Sequence, residues 1–209
     1  MIFDENSIDK LRESVRSRIS AKRYQHTLGV EEMARCLGSV LMPEKLSELR
    51  VAALLHDIAK EIDYNEQVDL VKSSDLLYTD EDLAAAPAVH SIAAVPVIIR
   101  DFPAYATDDV LSAVANHTLG NDGMSVFDEI IYISDYTEAG RTYPACKAVR
   151  AYLLDNISAK NSYTDNVKYL HKGILTSIES TVNSLEQRRE RIHSRTYLTK
   201  TYLENLIHE

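Results

Sequence analysis

The stretch that decides the reading is LRVAALLHDIAK, residues Leu49 to Lys60. It is dense in Val, Ala and Leu, helical in period, and closes on the adjacent pair His56-Asp57. Imidazole nitrogens and carboxylate oxygens are the donors that first-row transition metals take. Working outward, His26, His90, His117 and Asp135 also fall on or beside helices predicted from the pattern. Together these are four imidazoles and two carboxylates, enough for two metals sharing one carboxylate. The set points to a metal-dependent hydrolase.

The periodicity around these residues is helical throughout. His26, Val30, Met33 and Leu37 are spaced i, i+4, i+7, i+11, so the histidine shares a stripe with apolar residues. His90, Ala94 and Val97 repeat the pattern, with Pro96 expected to kink the helix or lie near its break. Val110, Val114 and His117 share a face, and Ile131 and Asp135 are i, i+4. A long helix carries Val167, Leu170, Ile174, Ile178, Val182 and Leu185. Thr79 with Asp82, and Ser125 with Asp128, read as capping boxes, and Thr107 opens a further helix. Breaks are expected at Pro43, Pro87, Phe102-Pro103, Gly120 to Gly123, Gly140 to Pro144 and Asn156 to Asp165. No alternating strand pattern survives, so the fold class is all-α. Residues 1–185 read as one domain, followed by a helical tail, 186–209, that is basic at Arg188, Arg189, Arg191 and Arg195. Such a tail packs on its own domain or on a second copy more often than on nucleic acid.

Composition narrows the classes. The 209 residues, 45% hydrophobic with five prolines and six glycines, suit one substantial core. Cys36 and Cys146 are too few and too far apart for a disulfide framework or a structural zinc site. No apolar run reaches the ~18 residues of a membrane span, and the acidic start, with Asp4, Glu5 and Asp9, is no signal peptide. A cytoplasmic protein is expected. A net charge of -9 argues against extended nucleic-acid binding. It would also repel a polyphosphate, unless bound cations and placed Lys or Arg groups reverse the sign locally.

A single imidazole on an apolar face is ordinarily a hydrogen-bonded core residue. Burying four of them with two carboxylates and no cation leaves several costly polar groups. The neighbours bear on this choice. Lys60, three residues after Asp57 and so expected on the same helix flank, either reaches a substrate phosphate or closes the helix at the surface. His117-Thr118-Leu119-Gly120 either brings backbone amides to an anion or simply stops a helix. Asp135, Glu138 and Arg141, spaced by three and so expected on one helix edge, combine either a ligand, its supporting carboxylate and a phosphate-binding guanidinium, or a plain ion pair.

These residues resemble the HD-domain superfamily of phosphohydrolases, whose pattern H…HD…D falls here on His26, His56, Asp57 and Asp135. The chain resembles more closely the YqeK family of symmetrical bis(5′-nucleosyl)-tetraphosphatases, over roughly residues 15 to 185. The stretches that carry the likeness are RYQHTLGV, AALLHDIAK, VHSIAA, VANHTLGNDGMS and IIYISDYTEAGR. It departs at Ser134, where the family usually has Ala, and at Ala139-Gly140, which replaces a proline-containing spacer before Arg141.

The resemblance implies an HD helical bundle with a C-terminal helical extension. It implies one metal on His26, His56, Asp57 and Asp135, a second on His90 and His117, and Asp57 bridging. Iron is the family's metal, although the donors suit Mn, Co, Ni or Zn equally. Asp57, Lys60 and Arg141 are the expected catalytic residues, and Lys60, His90, Thr118, Gly120, Glu138 and Arg141 the expected substrate contacts. The implied reaction is hydrolysis of diadenosine tetraphosphate to two ADP by water that the metals activate, with ADP or GDP as product-like ligands. The alternatives are another HD phosphohydrolase acting on other nucleotides, or a metal-holding nucleotide sensor with negligible turnover. No nucleic acid or membrane partner is expected, and a homodimer is left open.

Overall fold

The structure, a computed structural model, describes residues 2–208. Among them are eleven α-helices and no strand. In chain order these are α1 (Glu5–Arg16), α2 (Ala21–Leu41), α3 (Leu46–Leu55), α4 (Tyr64–Lys72), α5 (Asp80–Ala84) and α6 (Val89–Asp101). Then come α7 (Asp108–Asn116), α8 (Val126–Thr137), α9 (Pro144–Asn156), α10 (Tyr163–Gln187) and α11 (Ser194–His208). The all-α reading holds.

The axis of the bundle is α3, the helix of the opening stretch. Every residue from Ser47 to Leu55 is buried, as expected of a helix that is apolar nearly all round. Helices α1, α2, α7 and α8 surround it. Leu49, Val51, Leu54 and Leu55 each contribute about 1.5–3 kcal/mol relative to exposure. That packing fixes where the C-terminal end of α3 delivers His56 and Asp57.

Local chemistry sets the other ends. Both capping boxes form: Asp82 accepts from the Thr79 amide at 2.8 Å while Thr79 Oγ1 accepts from the Asp82 amide at 3.1 Å. Ser125 and Asp128 do the same at 3.1 and 3.2 Å. Thr107 caps α7 through the Val110 amide. Each satisfies amides that a helix start leaves without partners.

One expectation is narrowed and two are corrected. First, α6 runs through Pro96 without ending. The missing amide leaves one carbonyl without its bond, but burial of nearly the whole helix against α4 and α7 holds the segment helical. Second, α3 stops at Leu55. The chain continues in tight turns, with Ile58 donating to Leu55 O, Lys60 to Asp57 O and Ile62 to Ala59 O at 3.0–3.2 Å. Lys60 therefore sits on a turn, not on the flank of a longer helix. Third, α8 ends at Thr137 and Glu138 is extended, so Asp135, Glu138 and Arg141 do not share one helix edge.

The C-terminal part wraps this frame. Helix α10 packs on α8, α9 and α11. The position 185 at which the sequence suggests dividing the chain lies inside α10, and Leu203 of α11 is fully buried in the same apolar cluster as α3. Among the described residues no helix is long and apolar enough to cross a membrane.

Candidate metal centre

Helix ends converge on one point. His56 caps the C-terminal end of α3 and Asp57 follows it. His117 caps α7, His90 sits in the first turn of α6, His26 lies in α2, and Asp135 is near the end of α8. The six side chains thus come from five helices and their ends, and their donor atoms fall into three overlapping groups. These are His26, His56 and Asp57; His56, His117 and Asp135; and Asp57, His90 and His117. Within each group the atoms lie within 4.8 Å of one another.

The outer hydrogen bonds fix how the imidazoles face. His56 Nδ1 is 2.6 Å from Ala53 O and His117 Nδ1 is 2.7 Å from Val114 O. A carbonyl only accepts, so Nδ1 carries the proton in both rings and Nε2 turns a lone pair inward. His26 Nδ1 meets the buried carboxylate of Glu138 at 3.2 Å, the outer partner that metal-binding histidines commonly have. Gly29 makes room for it, since a Cβ there would collide with the Glu138 carboxylate.

Inside, two of the nitrogens lack partners. His26 Nε2 and His56 Nε2 are buried without a hydrogen bond. His26 Nε2 is 3.0 Å from Asp135 Oδ1 but badly angled for a hydrogen bond. His90 Nε2 and His117 Nε2 face each other at 3.2 Å. Two ligands at right angles on metal bonds of ~2.1 Å lie about 3 Å apart, so these spacings suit donors converging on cations. The residues present fit a transition-metal pair.

Asp57 divides its two oxygens between the halves. Oδ2 is 3.6 Å from His26 Nε2 and 3.4 Å from His56 Nε2. Oδ1 is 3.2 Å from His90 Nε2 and 3.7 Å from His117 Nε2. Burial pushes the Asp57 carboxyl up, but the surrounding His56, His117 and His90 hold it well below the usual carboxylate range. Asp135 is likewise driven low, burial being outweighed by His26 and Arg141. Burial takes His90 down to about 4, leaving it neutral.

Three cationic side chains ring the mouth. Arg141 folds back from its loop onto Asp135, with Nη2 at 2.6 Å from Oδ1 and Nε at 2.9 Å from the carbonyl. Lys60 Nζ lies 2.9 Å from Pro87 O and 3.1 Å from His90 Nδ1, and burial lowers its pKa. Arg23 was missed by the sequence reading. Its Nη1 donates to Asp57 Oδ2 at 2.7 Å, and its Nε is buried without a partner. Its signal was faint: three residues before His26 it shares that histidine's face of α2, but at a helix start an arginine looks like surface. Arg150, also missed, donates to the Glu138 and Thr137 carbonyls and so holds the loop that carries Arg141.

Of the expected substrate contacts, Thr118 stands beside the centre, with Oγ1 3.3 Å from His90 Nε2. Gly120 does not. It adopts φ +72°, and a Cβ there would meet Thr199 Oγ1 of α11 at 2.6 Å. Glycine is needed at that turn for conformation and for the close approach of α11, and its amide donates to Asn116 O at 2.8 Å, so the helix-stop reading accounts for Gly120. Glu138 holds His26 and the Gly140 amide and is buried, which places it behind the centre.

The HD domain family model matches residues 23–140, a span that begins at Arg23 and holds all six donor residues. A symmetrical bis(5′-nucleosyl)-tetraphosphatase of Halalkalibacterium halodurans is 30% identical over 90% of this chain and 92% of its own. The chain belongs to the HD-domain family of symmetrical bis(5′-nucleosyl)-tetraphosphatases. The Bacillus subtilis protein of the same name is 26% identical over 90% of this chain and 93% of its own. Among solved structures, a predicted HD superfamily hydrolase involved in NAD metabolism from Clostridium acetobutylicum superposes with a TM-score of 0.81. It is 27% identical, and the match covers 95% of this chain and 97% of that one. The HD match stops at Gly140, so α9 to α11 are additions to the HD core.

Proposed function

We propose that this protein hydrolyses dinucleoside tetraphosphates symmetrically, diadenosine tetraphosphate giving two ADP. The observation that carries the reading is the division of the Asp57 oxygens between two sets of inward-facing imidazoles, in a chain 30% identical to a relative of that name. His26, His56, Asp57 and Asp135 would hold one cation, and Asp57, His90 and His117 the other, with iron as the metal. When bound, the pair supplies a Lewis acid and acidifies water for attack at neutral pH.

The chain's own residues do the rest. Arg23, Lys60 and Arg141 set a local positive field at the mouth, which overcomes the repulsion of a chain with net charge -9. Lys60 Nζ, already beside His90, is placed to hold a non-bridging oxygen of the phosphate under attack. Arg141 takes a neighbouring phosphate in its planar fork. Water forms a bond to an inner phosphorus, the P–O bond to the central bridging oxygen breaks in line, and ADP departs. Glu138 keeps His26 in its tautomer and orientation. Nothing in this machinery calls for a membrane, and the cytoplasm is the proposed compartment.

The test is product analysis. Metal-loaded protein given diadenosine tetraphosphate should release ADP alone, and elemental analysis of protein purified without chelator should find iron. ATP plus AMP would refute symmetrical cleavage, and negligible turnover with iron, manganese and cobalt alike would make the protein a sensor.

A further inference from the structure

Helix α11 grips the loop that carries His117, and it does so on both sides of the histidine. Before it, Arg195 Nη2 donates to Asn116 Oδ1 at 2.8 Å. After it, the Thr199 hydroxyl shares its proton between Arg195 O at 2.8 Å and Leu119 O at 3.3 Å. The next residue, Gly120, lies so close to Thr199 that a Cβ there would stand 2.6 Å from Oγ1. Between these two holds lie only His117, one of the donors, and Thr118, whose Oγ1 is 3.3 Å from His90 Nε2. We propose that Arg195 and Thr199 are positioning residues, which act through Asn116 and Leu119 to fix where the His117 imidazole meets its cation. The proposal rests on the reading above that the centre holds a metal pair, and not on which nucleotide is cleaved.

The need for such a hold is local. His117 stands just past the end of α7, a helix of nine residues that is buried along one side only. His56 also stands just past a helix end, but α3 is buried from Ser47 to Leu55 and needs no outside support. The bond from His117 Nδ1 to Val114 O sets the ring's rotation, yet it comes from the same helix end and moves with it. A site of this kind has to be held within about 0.5 Å by groups that are themselves fixed. The α11 bonds come from 79 and 80 positions away and tie the loop to a separate part of the fold.

The gripping residues are fixed in turn. Arg195 Nη1 and His193 Nε2 converge on buried Asp82 Oδ1 at 3.5 and 3.4 Å, and the Arg195 amide donates to His193 Nδ1 at 3.1 Å. Asp82 is itself held in the capping box of α5. On the other side, Asn116 Nδ2 donates to Ser112 Oγ at 3.3 Å, and Ser112 donates to Asp128 Oδ2 at 3.1 Å, in the capping box of α8. Thr199 and Leu203 are fully buried, which seats α11 in the core. The HD match ends at Gly140, so this support for one of its donors comes from outside the HD core.

The experiment cuts the hold from either end. Metal-free full-length protein is titrated with manganese in competition with a chelator, so that the two ions are read separately. Arg195→Met and Asn116→Ala should each weaken one ion by about tenfold or more and leave the other within about twofold of wild type. The double variant should match either single within about twofold, because both remove the same bond. Thr199→Val should weaken the same ion, and Thr199→Ser, which keeps the hydroxyl, should restore it. In the metal-free protein, the His117 ring resonances should shift in Arg195→Met and Thr199→Val, while those of His26 stay. If wild type takes up two ions and the variants bind both as tightly, or lose both alike, the positioning role is refuted and the function stands. Additive single effects, or equal behaviour of Thr199→Val and Thr199→Ser, would refute it as well. Should Arg195→Met fail to fold, Asn116→Ala and the two Thr199 variants decide the matter. If wild type takes up no metal pair, the positioning role and the metal-dependent function fall together.

Discussion

Helix α3 serves two buried polar clusters that are built on opposite plans. Arg50, in its middle, donates to Glu31 at 3.0 Å, and Glu31 also accepts from Arg12 Nε at 2.9 Å. Arg50 reaches outward to Glu5 with its remaining nitrogens. In that network every buried polar atom of Glu31, Arg12 and Arg50 has a partner. One turn and a half further on, His56 and Asp57 open the other cluster, where His26 Nε2, His56 Nε2 and Arg23 Nε are buried without one. A buried group without a partner costs on the order of 1–3 kcal/mol. Such atoms persist when the surrounding structure fixes them for a ligand, and here the outer Nδ1 bonds to Ala53 O, Val114 O and Glu138 do so. The first cluster spends its polarity on holding helices together; the second keeps its polarity for binding.

The contrast breaks most visibly at Asp57. Asp57→Ala removes the carboxylate whose two oxygens face both sets of imidazoles, so metal content by elemental analysis should fall to none and turnover with it. Full metal retention would mean that the halves hold their ions separately and that Asp57 bridges nothing. Thermal stability should fall as well, since the variant strips Arg23 of its carboxylate partner and the centre of its ions.

Glu31→Ala should lower stability alone. Breaking a buried ion pair from one side costs 3–5 kcal/mol, and with Arg12 a quarter exposed about 3 kcal/mol is expected here. Urea unfolding would read it as a lower midpoint at unchanged slope, while metal content stays that of wild type. Loss of metal in this variant would show that the two clusters are mechanically coupled through α3.

These two clusters were unequally legible in the sequence. The bundle could be read because periodicity and caps are local signals: Thr79-Asp82 and Ser125-Asp128 act within three residues, and α3 declares its burial in its own composition. The six donor residues could be read because each lies at a helical spacing from apolar neighbours. What escaped depends on chain geometry between helices. Arg23 meets Asp57 from 34 positions away, and Glu138, read as a support for Asp135, instead meets His26 from 112 away. Lys60 was expected on a helix flank because the apolar run gives no sign that α3 stops at Leu55. Gly120 was read from its own turn, while its reason for being glycine is Thr199, 79 residues later in α11. The resemblance supplied the grouping of donors that spacing alone did not.

A smaller effect separates ligand orientation from fold. Gly29→Ala adds a methyl where the Glu138 carboxylate now sits. Alanine favours the helix by up to about 1 kcal/mol over glycine, so stability should hold or rise. Yet displacing Glu138 removes the partner of His26 Nδ1, and metal affinity should drop by roughly 10–100-fold. Glu138→Gln, which keeps the shape and loses the charge, should fall between wild type and Gly29→Ala in a competition with a chelator. Equal affinity in all three proteins would reduce Glu138 to a loop anchor.

The smallest effect lies at the outer end of the satisfied network. Glu5 is largely exposed, and its hydrogen bond with Arg50 holds its carboxyl below the usual range. A group whose folded pKa is depressed stabilises above its unfolded value, about 4.3 for Glu, and loses that contribution as pH falls through the folded value. Glu5→Gln should therefore cost about 0.5 kcal/mol at pH 7, and the gap from wild type should close as pH is lowered from about 5 into the acid range. Salt should shrink the same gap at neutral pH, because the pair is open to solvent. The Glu31→Ala deficit should persist in salt that erases the Glu5→Gln deficit, since Glu31 is shielded where Glu5 is not. If the two deficits respond alike to salt, the network has no protected interior, and its contrast with the metal centre would be one of composition alone.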